Sequence, residues 1–280
     1  MSRAERVAES LPSVEALLNY LVETDEKPAS YGGVSYSVAA GKRKGKYQER
    51  KMTIHNGRPL AAQLSLEREG FVFVNHETRV KNFYDENEVR SVYYAETEQL
   101  VKQTSGAMRV LVFDHTLRSA DNATREEKQI SGPVHNVHND YTEWSGPQRV
   151  RDLLPDEAEE LLKHRFAVVQ TWRPIRNPVQ KEPLAIADAR SIGTKELVPS
   201  ARIYPDRVGE TAHLTFSPEH VWYYFPNMQR NEALVFKTFD SEKDGRARWT
   251  AHAAFDDPTS PPDAAARESI EMRTLAFFAP

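Results

Sequence analysis

From residue 108 to the C-terminus, apolar and β-branched residues gather into short runs separated by turn residues, with little helical pattern between them. The runs fall at 109–113, 134–142, 166–172, 184–187, 212–216, 221–225, 233–239, 247–254 and 269–278. None is long enough to close a stable sheet alone, so the runs must pair with one another and bury a shared face. Many short strands with few intervening helices predict a barrel or a double-sheet jelly roll. One helix is expected within this region, over 155–165, where Pro155 starts it and Glu157, Glu159 and Glu160 suit its positive end.

The first hundred residues read differently. Val14, Leu17, Leu18 and Leu21 recur at helical spacing behind Ser13, which predicts a short amphipathic helix over 13–22. Strands are expected near 52–55 and 71–74, and a helix over 86–104 that ends at Gly106. The basic run at 42–46 (Lys-Arg-Lys-Gly-Lys) reads as a solvated loop, and the polar stretch 119–129 as another loop. The chain of 280 residues is therefore expected to be one structural domain, with 1–107 an N-terminal helical and strand extension packed on a β core formed by 108–280.

Composition removes several kinds of chemistry. There is no cysteine, which excludes disulfides, thiolate catalysis, zinc–thiolate sites and iron–sulfur clusters. A formal net charge of −4 without a long basic block argues against nucleic acid and anionic membrane as partners. No apolar run approaches the roughly 20 residues needed to cross a bilayer. Residues 1–12 are polar and charged rather than a signal peptide, so the cytoplasm is the expected address.

Three features can carry chemistry. His138-Asn139-Asp140 lies at the end of an expected strand, and residues two apart on a strand point the same way. This spacing aims an imidazole and a carboxylate into one cavity, as a two-histidine, one-carboxylate metal site requires. Alone the tripeptide is weak. With 9 histidines and 14 aspartates in 280 residues, chance produces one in roughly every second chain of such composition. Arg267-Glu268-Ser269 is the only Arg-x-Ser in the chain, and Arg267, Ser269, Glu271 and Arg273 share one face of its run. A guanidinium and a hydroxyl on that face can grip a carboxylate. His252 is the third feature. His220 and His213 also follow His138, but Arg230 after His220 sits in a polar turn and His213 has no suitable arginine after it. His135 has the opposite strand parity to His138 and Asp140, which predicts a structural role. The order His-x-Asp, distal His, Arg-x-Ser is similar to the sequence outline of 2-oxoglutarate-dependent oxygenases.

Longer segments extend the likeness: Val-Phe-Asp-His-Thr (112–116), Val-His-Asn-Asp-Tyr-Thr (137–142), Arg-Val-Arg-Asp (149–152), Trp-Arg-Pro-Ile (172–175), Asp-Ala-Arg-Ser (188–191), Trp-Tyr-Tyr-Phe-Pro (222–226), Lys-Thr-Phe-Asp-Ser (237–241), His-Ala-Ala-Phe-Asp-Asp-Pro (252–258) and Arg-Glu-Ser-Ile-Glu-Met-Arg (267–273). By these segments the chain from Val112 onward resembles the hydroxylase/desaturase family that includes gibberellin desaturase and a component of cephalosporin methoxylation. The resemblance implies a mainly β fold, a distorted double-stranded β-helix of the cupin-like jelly-roll kind with flanking helices. It also implies Fe(II), 2-oxoglutarate and O2 as cofactor and cosubstrates. Carried over by position, it marks His138, Asp140 and His252 as iron ligands, Arg267 with Ser269 as the 2-oxoglutarate anchor, and Arg273 as a second candidate for that role. Pro258, Pro261 and Pro262 mark a loop inserted between His252 and Arg267. The expected reaction is hydroxylation, desaturation or oxidative cyclisation of a small-molecule metabolite of secondary metabolism, by a monomer or homodimer. Trp172, Arg173, Trp222, Tyr223 and Tyr224 are the expected substrate pocket, with core packing an even alternative for the aromatics. Arg190 is read as an ion-pair partner of Asp188, and Lys237 is left outside the site. Two other readings stay open: a cupin-like metal enzyme that does not use 2-oxoglutarate, and a non-enzymatic small-ligand-binding barrel.

Overall fold

The computed structural model describes residues 10–24, 27–31, 43–203 and 208–279. Within them the strands are β1 (Ser13–Val22), β2 (Ala29–Tyr31), β3 (Arg43–Lys44), β4 (Lys46–Asn56), β5 (Phe71–Asn75), β6 (Arg109–Ser119), β7 (His138–Asn139), β8 (Phe166–Pro174), β9 (Leu184–Ala187), β10 (Leu197–Ile203), β11 (Val208–Leu214), β12 (Trp222–Tyr224), β13 (Glu232–Asp240), β14 (His252–Ala254) and β15 (Glu268–Phe277). They form two sheets. The larger runs β1-β4-β12-β9-β14-β7-β11-β10-β2-β3, and the smaller runs β5-β13-β8-β15-β6. This is the mainly β, double-sheet jelly roll that the strand pattern predicts.

The large sheet curls until β1 returns to the segments flanking β7 and β11, through parallel bridges Asn19–Asn136 and Leu21–Thr215. Its curl encloses one core that includes Leu18, Tyr20, Ile54, Trp222 and Phe255. The face opposite packs on the small sheet through Phe71, Ile186, Leu234 and Phe236. The outer face of the small sheet is covered by α1 (Tyr94–Ser105) and the helical turns before it, which start at Asp85. Gly106 closes α1 at φ 74°, the left-handed cap that its sequence position predicts.

Several local expectations are corrected. Residues 13–22 form a strand, not a helix: Val14, Ala16, Leu18 and Tyr20 are buried while Leu17 is 52% exposed, a period of two. The helix expected over 155–165 shrinks to one turn, α4 (Ala158–Leu161), of which only Ala158 is buried, with Leu161 partly packed on the same core. Two helices stand where loops or nothing were expected, α2 (Asn122–Lys128) and α3 (Ser145–Leu153). At Gly146 of α3 a Cβ would come within 2.9 Å of the Phe239 ring, so the helix docks only with glycine there. The strand expected over 134–142 is reduced to β7, and β10 appears over an unassigned stretch. Arg43 and Lys44 of the basic run form β3 and Lys46 opens β4, while Lys42 and residues 1–9 lie outside the described residues. Before residue 108, β1 and β4 belong to the large sheet and β5 to the small one.

Candidate metal and cosubstrate site

The two sheets divide the work of building one site. The large sheet supplies the imidazoles. β14 pairs antiparallel with β7 so that His252 is the direct partner of His138, and their rings lie 4.4 Å apart between centroids. Cross-strand partners project to the same face, and here that face looks toward the small sheet. Asp140 follows two residues after His138, its Oδ1 3.6 Å from His138 Nε2. Ligand atoms of His138, Asp140 and His252 all lie within 4.8 Å of one another.

Both histidines present Nε2 to this cluster because Nδ1 is tied to the backbone. His138 Nδ1 donates to the Asn136 carbonyl at 2.8 Å, and His252 Nδ1 to the Thr250 carbonyl at 3.3 Å. Such bonds fix the tautomer that a metal needs. Burial, with His252 close by, holds the His138 imidazolium well below its ordinary range, so the ring is neutral and ready to ligate. Burial alone would raise the Asp140 carboxyl, but Arg273, His138, His252 and a Gln170 hydrogen bond hold it well below the usual carboxylate range. The donor set, two imidazoles and one carboxylate, fits a divalent first-row metal with open coordination positions.

The small sheet supplies the surroundings. Along β15, Ser269, Glu271 and Arg273 alternate onto the inner face, opposite Arg118, Thr116 and Asp114 of β6 and opposite Pro174, Trp172 and Gln170 of β8. The predicted shared face is therefore real. Arg267 stands just before β15 with its guanidinium carbon 5.4 Å over the Trp172 ring, and it is 3% exposed. A cleft of about 320 Å³, open mouth included, joins His138 and His252 to Arg267, Arg118, Trp172 and Glu271. Arg267 Nε and Ser269 Oγ are buried without a hydrogen-bond partner. Buried donors are ordinarily satisfied, and Arg267, which lines the cleft, has one to offer a carboxylate brought into it. Burial, with Arg118 adding repulsion, lowers the Arg267 guanidinium to about 10, still protonated at neutral pH.

The other predicted residues fall elsewhere. Arg273 faces the cleft side, but its donors are engaged: Nε with Asp140 at 2.9 Å, Nη1 with Thr116 at 2.9 Å and Nη2 with Glu271 at 2.6 Å. Of the expected substrate pocket only Trp172 lines the cleft. Arg173, next on the strand, points to the outer face of the small sheet, donates to the His76 carbonyl at 2.9 Å and lies 5.2 Å from the Tyr93 ring. Trp222 Nε1 donates to Tyr20 Oη at 2.8 Å inside the curl of the large sheet, where Tyr224 also packs edge-on to Phe255. Tyr223 is packed between the sheets with Phe71. Trp222, Tyr223 and Tyr224 are thus packed in the cores of the sheets and Arg173 is turned away, so none of the four borders the cleft. Arg190 pairs with Asp188 as expected, at 2.6 Å, and Lys237 is buried against Asp240 at 2.7 Å. His135 binds Glu182 rather than the cluster, at 3.0 Å. Of the two alternative histidines, His220 is taken by Glu196 at 2.9 Å, and His213 lies beside His138 with Nδ1 3.2 Å from Tyr47 Oη. A larger hollow among Tyr141, Trp144, Leu197, Glu210 and Trp249 is lined by none of the three clustered ligands.

Sequence reasoning missed Gln170, whose Nε2 donates to Asp140 Oδ2 at 2.8 Å, and Arg118, whose Nη1 donates to the Gly132 carbonyl at 3.1 Å beside the cleft. Strand parity held the signal. Gln170 is two before Trp172, and Arg118 is two beyond Thr116 in the Val-Phe-Asp-His-Thr run.

A family model described as "Oxidoreductase/YMDC permease-like domain" matches residues 18–277. No helix among the described residues is long and apolar enough to cross a membrane. The chain is 33% identical over 292 residues to the hydroxylase/desaturase efuI of Hormonema carpetanum, covering 95% of this chain and 96% of that protein. It is 33% identical over 235 residues to the Fe(II)/2-oxoglutarate-dependent dioxygenase nvfI of Aspergillus novofumigatus, covering 81% and 83%. Among solved structures it resembles the iron and alpha-ketoglutarate-dependent endoperoxidase NvfI, with a TM-score of 0.84 and 28% identity over 96% of this chain and 99% of that one.

Proposed function

We propose a site assignment from one premise: this chain belongs to the hydroxylase/desaturase family of iron(II)/2-oxoglutarate-dependent dioxygenases. As a member it is an oxidoreductase that uses Fe(II), 2-oxoglutarate and O2 on a small-molecule substrate. In the assignment His138, Asp140 and His252 hold the iron. Arg267 and Ser269 receive the carboxylate of 2-oxoglutarate that is remote from the metal, and Arg273 positions Asp140 rather than the cosubstrate. The observation that carries this reading is a cleft lined by two of the clustered ligands, His138 and His252, and by the buried Arg267 guanidinium, whose Nε has no partner, with the Ser269 hydroxyl also unpartnered on the strand that follows.

Bound iron supplies the oxidation, coupling conversion of 2-oxoglutarate and O2 to succinate and CO2 with loss of hydrogen from substrate. The protein's share is positioning and electrostatics. Gln170 and Arg273 keep the Asp140 carboxylate ionised and aimed at the metal. Arg118 adds positive potential beside Arg267, and Trp172 roofs the guanidinium and keeps water from it. Hydroxylation, desaturation and ring closure of a metabolite remain the outcomes that the family allows.

The test is an anaerobic titration of 2-oxoglutarate into Fe(II)-loaded protein, followed by its visible charge-transfer absorbance, with succinate release measured in air without substrate. His138→Ala and His252→Ala should abolish metal binding, and Arg267→Ala should weaken 2-oxoglutarate binding with iron retained. No absorbance and no succinate from iron-loaded wild type would favour the metal enzyme that does not use 2-oxoglutarate.

A further inference from the structure

Glu182, in the turn between β8 and β9, has φ 47° although it is not glycine. An L-residue adopts this left-handed conformation at a cost and keeps it only where its surroundings enforce it. Two groups hold Glu182 from opposite ends. Its carboxylate Oε1 accepts from His135 Nε2 at 3.0 Å, and its backbone carbonyl accepts from Arg267 Nη1 at 2.6 Å. Among the described residues that carbonyl is the sole hydrogen-bond acceptor of the Arg267 guanidinium, whose Nε has no partner. His135 is itself fixed, because the carbonyl of the preceding Val134 accepts from Ala254 N at 2.7 Å and so ties this segment to β14. The chain of contacts therefore runs from the scaffold that carries His138 and His252, through His135 and Glu182, to Arg267.

A guanidinium is planar, so one bond at Nη1 and the stack on Trp172 set where its remaining N–H groups point. Were residue 182 to relax to φ below zero, its peptide would turn and the carbonyl would leave Nη1. We infer that the His135–Glu182 pair is a positioning device: it clamps residue 182 in its left-handed conformation and thereby aims Arg267 at the cosubstrate. The inference rests on the reading of Arg267 as the 2-oxoglutarate anchor. His135 and Glu182 touch neither metal nor cosubstrate in it, and act only through Arg267.

The experiment is the same anaerobic titration of 2-oxoglutarate into Fe(II) holoenzyme, run beside the KM for 2-oxoglutarate and the melting temperature. His135→Ala should weaken 2-oxoglutarate affinity on the order of 10-fold, with iron binding and turnover at saturation preserved. Glu182→Gln keeps an acceptor for the imidazole and should stay near wild type. Adding Glu182→Gly to His135→Ala should recover most of the affinity, since glycine takes a positive φ without a clamp. A role in stability alone would lower the melting temperature without that rescue. Should His135→Ala fail to fold, Glu182→Ala breaks the same hydrogen bond and takes its place. Wild-type affinity in His135→Ala while Arg267→Ala loses affinity, or a loss that glycine does not rescue, would overturn the inference and leave the anchor standing. Unchanged affinity in Arg267→Ala would remove the anchor itself.

Discussion

Replacing Arg273 with methionine removes a guanidinium that three carboxylates share. Its Nε meets Asp140 at 2.9 Å, its Nη2 meets Glu271 at 2.6 Å and its Nη1 meets Asp114 at 3.3 Å. The Asp140 and Glu271 side chains are each 8% exposed, whereas Asp114 is 50% exposed. The exposed pair contributes at most about 1 kcal/mol. Removing one partner of a buried pair costs about 3–5 kcal/mol, because the charge left behind is uncompensated. Two contacts soften that loss here: Asp140 keeps Gln170 at 2.8 Å, and Glu271 keeps Arg118 at 3.7 Å. The lower end, about 3 kcal/mol, is therefore the expected cost. At about 2–4 °C per kcal/mol for a chain of this size, metal-free Arg273→Met should melt about 6–12 °C below wild type. The assay is thermal unfolding of both proteins, first metal-free and then with excess Fe(II) under anaerobic conditions or with Co(II). A dication among His138, Asp140 and His252 replaces part of the missing positive charge, so the gap should narrow when metal is added. Affinity for 2-oxoglutarate should change far less than in Arg267→Ala. A variant that melts within about 2 °C of wild type would refute the electrostatic argument. Loss of 2-oxoglutarate affinity at an unchanged melting temperature would return Arg273 to the cosubstrate.

Two further outcomes are expected. Trp222→Phe removes the bond to Tyr20 Oη, whose hydroxyl keeps only His220 at 3.2 Å, and should cost about 1–2 kcal/mol in chemical denaturation without changing either KM; an altered KM at unchanged stability would put Trp222 back in the pocket. Burial first, and Arg173 second, lower the His76 imidazole to about 4. The unfolded chain, with its histidine near 6.5, then binds the proton first, so this contribution to stability is complete above about 6.5 and is lost as pH falls toward 4. Melting temperatures across that window should fall with pH, and His76→Gln should flatten the fall; parallel profiles would count against it.

What could be read of the fold depended on whether the deciding partner was local. The strands at 166–172, 233–239 and 269–278 are buried on both faces and announce themselves as apolar runs. Residues 13–22 satisfy two periods at once, since Leu18 belongs both to the helical set with Val14, Leu17 and Leu21 and to the alternating set with Val14, Ala16 and Tyr20. The tie is broken by β4, which pairs with β1 from Ser13–His55 to Val22–Lys46. That partner lies some thirty residues away, beyond any local period. The opposite error arose at 155–165, where proline and glutamates favour a helix start but little of the turn is buried. Helix α3 was hidden because Ser-Gly-Pro opens like a turn, and its glycine answers to Phe239, almost a hundred residues on.

The site shows the same limit in chemical form. The order His-x-Asp, distal histidine, Arg-x-Ser along the chain singled out His138, Asp140 and His252, and the pairing of β14 with β7 brings their ligand atoms together. Charge alone could not separate the arginines. Arg173, Arg267 and Arg273 are all buried or nearly so, and a buried guanidinium must find acceptors somewhere. Arg173 finds the His76 carbonyl on the far face of β8, and Arg273 finds Asp140, Glu271 and Thr116. Arg267 finds one carbonyl, borrowed from a residue in an unfavourable conformation, and faces the cleft with donors to spare. Arg173 Nε also lacks a partner, so what separates these two is position: Arg267 lines the cleft and Arg173 does not. Composition and spacing locate the arginines, but only the paired sheets decide which of them lines the cleft.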